Sequence, residues 1–221
     1  MTVKDAVKGR RSIRKFTSDE IPRESLLNIL ETARWAPSWG NTQPWELYIL
    51  TGQPLEEFRK QNRKKTVNGE AFSPDVIMPE AWPEHMKSRY SKLGEIVLGT
   101  MDIKRGDKKA RNKYYEDMGS FFGAPCLIIA CIPKNICTEY AMLDVGILLQ
   151  IICLLAHDEG IGSCIMAASV AYPKLLREIL SIPEDRLIIM GIALGYPDRE
   201  LPINNFGRER ASISEFVTWC G

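Results

Sequence analysis

One apolar stretch restricts the fold of this chain more than any other part of the sequence. Residues 138–160, TEYAMLDVGILLQIICLLAHDEG, begin with a threonine suited to cap a helix, Thr138, and end at Gly160, which suits a helix end. Nearly every face of this helix is apolar, which is typical of a helix that is buried or crosses a membrane. An aspartate, a glycine and a glutamine interrupt the apolar run, which is too short and too polar for a membrane span. We therefore predict a buried central helix.

Four apolar segments predict strands around this helix. CLIIACIP at 126–133 and RLIIMGIALGYP at 186–197 are uninterrupted runs typical of buried strands. WELYILTG at 45–52 predicts a shorter strand, and GIGSCIMAA at 160–168 predicts a strand or a loop beside the helix. Strands and helices mix without a strict βαβ alternation, so an α+β fold is favoured over a doubly wound sheet.

Helical patterns account for most of the remaining chain. Thr2 and Asp5 form a capping-box pattern at the start of a first helix. Pro22 suits the start of a second helix, which cannot continue through Pro37. Charged residues at helical spacing between the first and second strands of the chain predict a helical insert at about 62–122 that can act as a lid. The predicted helices cover 3–8, about 22–36, 54–66, two segments of 84–122 separated by IKRGDKK, and 172–182.

The charge totals argue against a general binder of nucleic acid. The 221 residues carry 29 basic and 28 acidic side chains, a formal net charge of +1. Proteins that bind a polyanion usually present a basic excess over a whole face, since counterion release needs many phosphate contacts. Positive charge in this chain is local instead.

The local charge lies in residues 8–16, KGRRSIRKF, with five basic side chains in nine positions. An isolated cluster of this kind is most often a solvated basic turn. The guanidinium groups also suit bidentate phosphate contacts, and the serine hydroxyl among them adds a further hydrogen-bonding group. A second basic pair near the other end of the chain can fold onto the same phosphate. The side chains concerned are Arg10, Arg11, Ser12 and Arg14, with Arg208 and Arg210 as the second pair.

A second polar segment, PSWGNTQPW at 37–45, lies between two predicted elements. Its short polar side chains between two prolines can hydrogen-bond a ribose, a ribityl chain or a heterocycle edge, although a plain turn is the simpler interpretation. Two tryptophans favour a planar ligand, but a tryptophan beside a strand is more often a core residue. The candidate ligand residues are Ser38, Trp39, Asn41 and Gln43.

The cysteines and the N-terminus indicate a reducing compartment. Six cysteines form no C-x-x-C pair, and only two histidines accompany them, so no metal site can be assembled from their spacing. The N-terminus, MTVKDAVKGRR, lacks the apolar segment of a secretion signal. We therefore expect reduced thiols and a cytoplasmic location.

Four motifs together carry a family resemblance. RRSIRKF, APSWGNTQPWELYIL, DVGILLQIICLLAHDEGIGSC and LGYP…GRER occur in this order over nearly the whole chain. The set resembles the nitroreductase family of flavin-dependent oxidoreductases, and the insert resembles that of a nitrobenzoate-reductase-like branch. The resemblance implies one α+β domain over 1–221 with a central, mostly antiparallel sheet. It also implies a homodimer with two FMN molecules at the interface and a C-terminal segment that reaches over the partner subunit.

The resemblance assigns roles to residues of this chain. Arg10, Arg11, Ser12, Arg208 and Arg210 match contacts to the FMN phosphate and ribityl chain. Arg14 matches a cation at the N1 and O2 edge of the flavin, where negative charge develops on reduction. Ser38, Trp39, Asn41 and Gln43 match a loop that lines the flavin partly from the second subunit, and Ile165, Met166 and Ala167 match a segment near flavin N5. Trp39 replaces a residue that is often small in the family, and CIMAAS lacks a glycine that some members carry there.

The implied activity is hydride transfer from NADH or NADPH through FMN to an electron-poor small molecule such as a nitroaromatic or quinone, in ping-pong order. No catalytic side chain is expected, because the cofactor carries the chemistry. Alternatives are another flavin reaction of the superfamily, as a dehalogenase, flavin-cleaving enzyme or dehydrogenase, or a non-catalytic FMN-binding protein. No nucleic-acid or membrane partner is expected. The substrate-pocket candidates, for which packing is the simpler role, are His85, Tyr90, Tyr114, Phe121 and Phe122.

Overall fold

A four-stranded antiparallel sheet forms the middle layer of the computed structural model, which describes all residues from 1 to 221. Its strands are β1 (Glu46–Thr51), β2 (Cys126–Pro133), β3 (Gly162–Met166) and β4 (Arg186–Gly195). They lie in the order β1-β2-β4-β3, and every neighbouring pair is antiparallel. The two predicted buried runs, β2 and β4, are the central strands, and the predicted α+β class is confirmed.

Seven α-helices cover the sheet or extend from it, and their positions agree with the predicted helical segments. A Thr2–Asp5 capping box opens the first helix, and Pro22 is the cap residue of the second. The helices are α1 (Val3–Gly9), α2 (Arg23–Ala33), α3 (Gly52–Val67), α4 (Glu84–Gly99), α5 (Lys108–Gly119), α6 (Thr138–Asp158) and α7 (Pro173–Leu180).

Strand β2 shows how the sheet separates two hydrophobic cores. Alternate side chains point to opposite faces of a strand, and Leu127, Ile129 and Cys131 belong to one core while Ile128 and Ile132 belong to the other. The first core lies under α3 and α7, and the second lies under α2 and α6. A strand covered on both faces has no position for a polar side chain, which explains its continuous apolar run.

The central helix α6 differs from its prediction in two ways. Cys137 occupies the cap position without a side-chain hydrogen bond, so the predicted Thr138 cap is wrong, whereas Gly160 ends the helix with a left-handed φ of 77°. The helix is buried on one side only, and Leu143 on its outer side is 64% exposed. The helix is long and apolar enough to cross a membrane by these two criteria alone, but 44% of its most apolar stretch is buried inside the protein.

The expected insert contains two helices that leave the sheet, α4 and α5. Its first residues, from 62 to 67, complete α3, which is anchored by the buried Phe58 stacked on Phe121 at 5.1 Å between ring centroids. Asp107 caps α5 by accepting from the amide of Ala110 at 2.9 Å. Phe121 and Phe122 are core residues, so packing is their role.

Candidate functional site

A cavity of about 670 Å³ lies where the two ends of the chain meet α4. All six side chains predicted for a phosphate site line it, and the structure therefore brings together residues almost 200 positions apart. Seven basic and two acidic side chains face the cavity. They are Arg10, Arg11, Arg14, Arg89, Lys92, Arg208 and Arg210, with Glu209 and Glu215.

Asn204 holds the two chain ends together. Its side chain, in a residue only 2% exposed, accepts from the amide of Arg14 at 2.8 Å and donates to the carbonyl oxygens of Lys15 and Asp198, each at 2.8 Å. A buried amide with all these partners fixes the register between the segments. Sequence reasoning missed Asn204, although it lies just before the FGRER motif.

Two of the predicted phosphate ligands also connect the chain ends. Arg208 donates to the carbonyl oxygens of Lys8 and Arg10. Arg11 donates to the carbonyl oxygens of Asn204, at 2.8 Å, and Phe206, at 3.3 Å. These guanidinium groups are therefore oriented by the backbone before any ligand binds.

The electrostatics of the cavity favour an anion. Burial lowers the pKa of the Arg208 guanidinium, and the charges of Arg11, Arg210 and Arg10 lower it further. The group stays protonated at any ordinary pH, so its lowered pKa reflects first the burial of a charge and then repulsion from the neighbouring arginines. The Nε atom of Arg10 is buried without a hydrogen-bond partner. A phosphate would relieve the repulsion, and this donor set therefore fits the phosphate of a nucleotide cofactor.

Arg14 also lines the cavity. Its guanidinium donates to the carbonyl of Ser12 at 3.2 Å and stands 5.7 Å from the ring centroid of Phe206. Burial raises the pKa of the Tyr114 phenol, and the nearby Arg14 charge opposes that increase. Tyr114 thus lies close to the predicted flavin-facing cation, and Phe206 is a second residue that sequence reasoning missed.

Helix α4 forms the outer wall of the cavity. Arg89 pairs with Glu215 and Lys92 pairs with Glu209, each at 2.6 Å, so the helix is tied to the C-terminal segment. Neither His85 nor Tyr90 lines the cavity, although both were pocket candidates. The wall residues are Ser88, Arg89, Lys92, Leu93 and Ile96.

Strand β3 supports the arginine segment from below. Ser12 forms a parallel bridge with Ser163, and the amide of Ile13 donates to the carbonyl of Ser163 at 2.9 Å. A Cβ at position 162 would lie 2.6 Å from Cγ1 of Ile13, so glycine permits this close approach. The candidates Ile165, Met166 and Ala167 continue this edge strand into a 3-10 turn, and none of them lines the cavity.

The loop at 38–43 lies against α6, apart from the cavity. Gly40, Asn41 and Gln43 have left-handed φ values of 53°, 59° and 48°, which are uncommon for residues other than glycine. Ser38 Oγ accepts from the amide of Gln43 at 3.0 Å, and the Gln43 side chain donates to the Asn41 carbonyl oxygen at 3.2 Å. The loop is therefore ordered internally, with Ser38 half-buried and Asn41 and Gln43 exposed.

Comparison with known proteins decides the family. The model of the nitroreductase family matches residues 7–196. The chain belongs to the nitroreductase family. A 4-nitrobenzoate reductase of Nocardioides sp. (strain LMS-CY) is 32% identical over 220 residues, which cover 96% of this chain and 87% of that protein. The predicted family and its nitrobenzoate-reductase-like branch are thereby confirmed.

Two solved structures in this family share the fold closely. The FMN- and NADPH-dependent nitroreductase NfnB from sphigopyxis sp. strain HMH superposes with a TM-score of 0.94 at 28% identity, covering 100% of both chains. The FMN-dependent nitroreductase NfnB from Mycobacterium smegmatis, solved in complex with NADPH, gives 0.92 at 28% identity and covers 99% of this chain and 97% of that chain. The nitroreductase-like fold predicted from the motifs is confirmed.

Proposed function

We propose that this protein is an FMN-dependent oxidoreductase that transfers hydride from NADH or NADPH to an electron-poor acceptor such as a nitroaromatic or a quinone. The observation that carries the proposal is the meeting of the N-terminal and C-terminal arginines in one cavity with a surplus of positive charge. FMN- and NADPH-dependent relatives of the same fold support it.

The cavity residues have distinct parts in holding the cofactor. Arg10, Arg11, Ser12, Arg208 and Arg210 are the phosphate and ribityl ligands, because they supply oriented, charge-assisted donors at one end. When bound, FMN supplies a hydride acceptor and donor that no side chain of the protein can replace.

Arg14 is the cation for the N1 and O2 edge of the ring. Its contact with Phe206 and its backbone hydrogen bond hold the charge in a fixed position. A fixed cation stabilises negative charge that develops at that edge without a cost of reorganisation.

A homodimer completes the proposed site. The loop residues Ser38, Trp39, Asn41 and Gln43 then line the flavin partly from the second subunit. The segment of Ile165, Met166 and Ala167 approaches the N5 region of the flavin. Exposed apolar side chains support this assembly, because a monomer rarely exposes a large contiguous apolar patch. They include Tyr140, Leu143 and Ile147 on α6, and Phe216 and Trp219 in the C-terminal segment that would reach over the partner.

The segment at about 62–122 is the proposed lid of a single domain over 1–221. Helix α4 walls the cavity, and its ion pairs are exposed, so it can move without breaking the core. All six cysteines are free thiols in the structure, which agrees with the proposed cytoplasmic location.

The deciding experiment is the absorption spectrum of the purified protein, followed by release and identification of the chromophore. Oxidation of NADH and NADPH is then measured with nitrofurazone or menadione as acceptor. We expect bound FMN, acceptor-dependent turnover and ping-pong kinetics. A colourless protein that gains no flavin absorption with added FMN would contradict the proposal. Bound FMN that neither nicotinamide reduces would point to another flavin reaction.

A further inference from the structure

Asp144 is a buried carboxylate that the proposed cofactor contacts do not explain. It lies in the buried face of α6, in a residue 6% exposed, among Ala141, Val145 and Leu148. An apolar residue would pack there without the cost of burying a charge. A buried carboxylate at this position therefore needs a hydrogen-bond donor nearby.

That partner is the backbone of Trp39. The Trp39 amide donates to Oδ1 and Oδ2 of Asp144 at 3.1 and 3.2 Å, and no other hydrogen bond reaches this carboxylate within the protomer. Trp39 is the first residue of the 3-10 turn Trp39–Asn41, so Asp144 acts as a cap supplied from another element.

A second contact from α6 holds the same residue. Tyr140 lies one helical turn before Asp144, and its ring meets the Trp39 ring edge-on with centroids 4.4 Å apart. The clamp, defined as Tyr140 and Asp144, therefore fixes both the side chain and the backbone of Trp39.

The clamp lies next to loop residues that have strained backbone conformations. Three of the four residues from 40 to 43 have left-handed φ values, and two of them, Asn41 and Gln43, are not glycine. Conformations of this kind persist only where the surroundings determine them. Trp39 is 64% exposed, so core packing does not hold it in place. The clamp on α6 fixes the start of the loop, and the hydrogen bond from the Gln43 amide to Ser38 closes the loop internally.

We propose that Asp144 is a positioning residue: through the Trp39 amide it holds the loop at 38–43 in the conformation that meets the flavin bound at the partner subunit. This inference rests on the proposed FMN-dependent dimer. Asp144 itself touches neither the cofactor nor a substrate. It acts by keeping Ser38, Asn41 and Gln43 in a prearranged geometry, which reduces the ordering cost of binding.

The test compares Asp144→Leu, which removes the acceptor, with Asp144→Asn, which keeps one acceptor oxygen. Asp75→Leu is the matched control, because Asp75 also accepts from a backbone amide, that of Ile188 at 2.9 Å, and pairs with Arg177 away from the loop. Measurements are hydrogen exchange at the Trp39 amide, the FMN dissociation constant and the visible circular dichroism of bound FMN. Asp144→Ala serves as the acceptor-free variant where D144L does not fold.

We expect D144L to speed exchange at Trp39, to raise the FMN dissociation constant roughly 2- to 30-fold, the effect of losing a cap, and to change the visible dichroism. D144N should restore all three, and D75L should lower only the melting temperature. The proposal is overturned if D144L lowers the melting temperature while FMN affinity and dichroism stay as in the wild type. It is also overturned if D144N matches D144L, since charge rather than the hydrogen bond would then matter. A wild type without FMN affinity refutes the proposed function, whereas unchanged exchange at Trp39 in D144L refutes this inference by itself.

Discussion

Arg208 shows how one residue serves both structure and binding, because its guanidinium reaches two backbone carbonyls and lines the cavity. We predict that Arg208→Ala or Arg10→Ala weakens FMN binding by about 1–3 kcal/mol through the loss of a charge-assisted phosphate contact. Titration of apoprotein with FMN, followed by flavin fluorescence, measures this. Arg34→Ala, on the exposed side of α2, is the control. Unchanged affinity in both cavity variants would show that the phosphate lies elsewhere.

His157 near the end of α6 makes folding stability depend on pH. Burial, then the charges of Arg199, Arg10 and Arg208, lower its pKa from about 6.5, against a smaller opposing effect of Asp158. The unfolded chain therefore binds more protons than the folded one just below pH 6.5, so this contribution to stability falls as the pH drops through that window. Thermal melts of His157→Gln should show a flatter dependence between pH 5 and 7, as an order-of-magnitude window for histidine. An identical slope in both proteins would exclude this role.

At the scale of elements, α4 is held over the cavity by exposed ion pairs. Pairs of this kind contribute about 1 kcal/mol or less and are screened by salt. We predict that Glu209→Gln combined with Glu215→Gln increases hydrogen exchange and trypsin cleavage within Glu84–Gly99, and that high salt does the same to the wild type. The double variant Glu31→Gln and Asp117→Asn breaks two exposed pairs outside α4 and is the control. Equal exchange of α4 at low and high salt would contradict the prediction.

The central strand β2 protects its thiols. Burial raises the pKa of Cys126 and of Cys131 to about 12, so neither forms a thiolate near neutral pH. We predict that a maleimide at pH 7.5 labels the exposed Cys137 and Cys220 in the folded protein, with the four buried cysteines reacting only after denaturation. Peptide mapping by mass spectrometry measures this. Labelling of Cys126 as fast as Cys220 would show that the sheet opens.

At the scale of the whole molecule, the outer side of α6 belongs to the proposed dimer interface. Leu143→Glu places a charge in the proposed interface, and burying an unpaired charge there is costly. We predict a monomer by light scattering that has lost most of its FMN, because the loop at 38–43 in each proposed site comes from the partner. Val67→Glu, an exposed position at the end of α3 in the opposite layer, is the control. A Leu143→Glu dimer with full FMN content would move the interface elsewhere.

The local parts of this protein could be predicted from its sequence. The apolar runs of β2 and β4, the capping box at Thr2 and the end of α6 at Gly160 depend on residues a few positions apart. The two arginine groups were recognisable as candidate anion ligands because guanidinium groups suit bidentate phosphate contacts and because two such groups occur near the two ends of the chain. These features determined the element types, the fold class and the chemical class of the ligand.

The tertiary structure decided how those parts meet. Asn204 joins the chain ends, α4 closes the cavity, and Asp144 reaches back 105 positions to Trp39. Each is a contact between residues far apart in sequence, and no local pattern distinguishes a buried asparagine or aspartate with a distant partner from an exposed one. The one-sided burial of α6 is decided in the same way, because the sequence of an almost wholly apolar helix does not show which of its faces the rest of the chain covers.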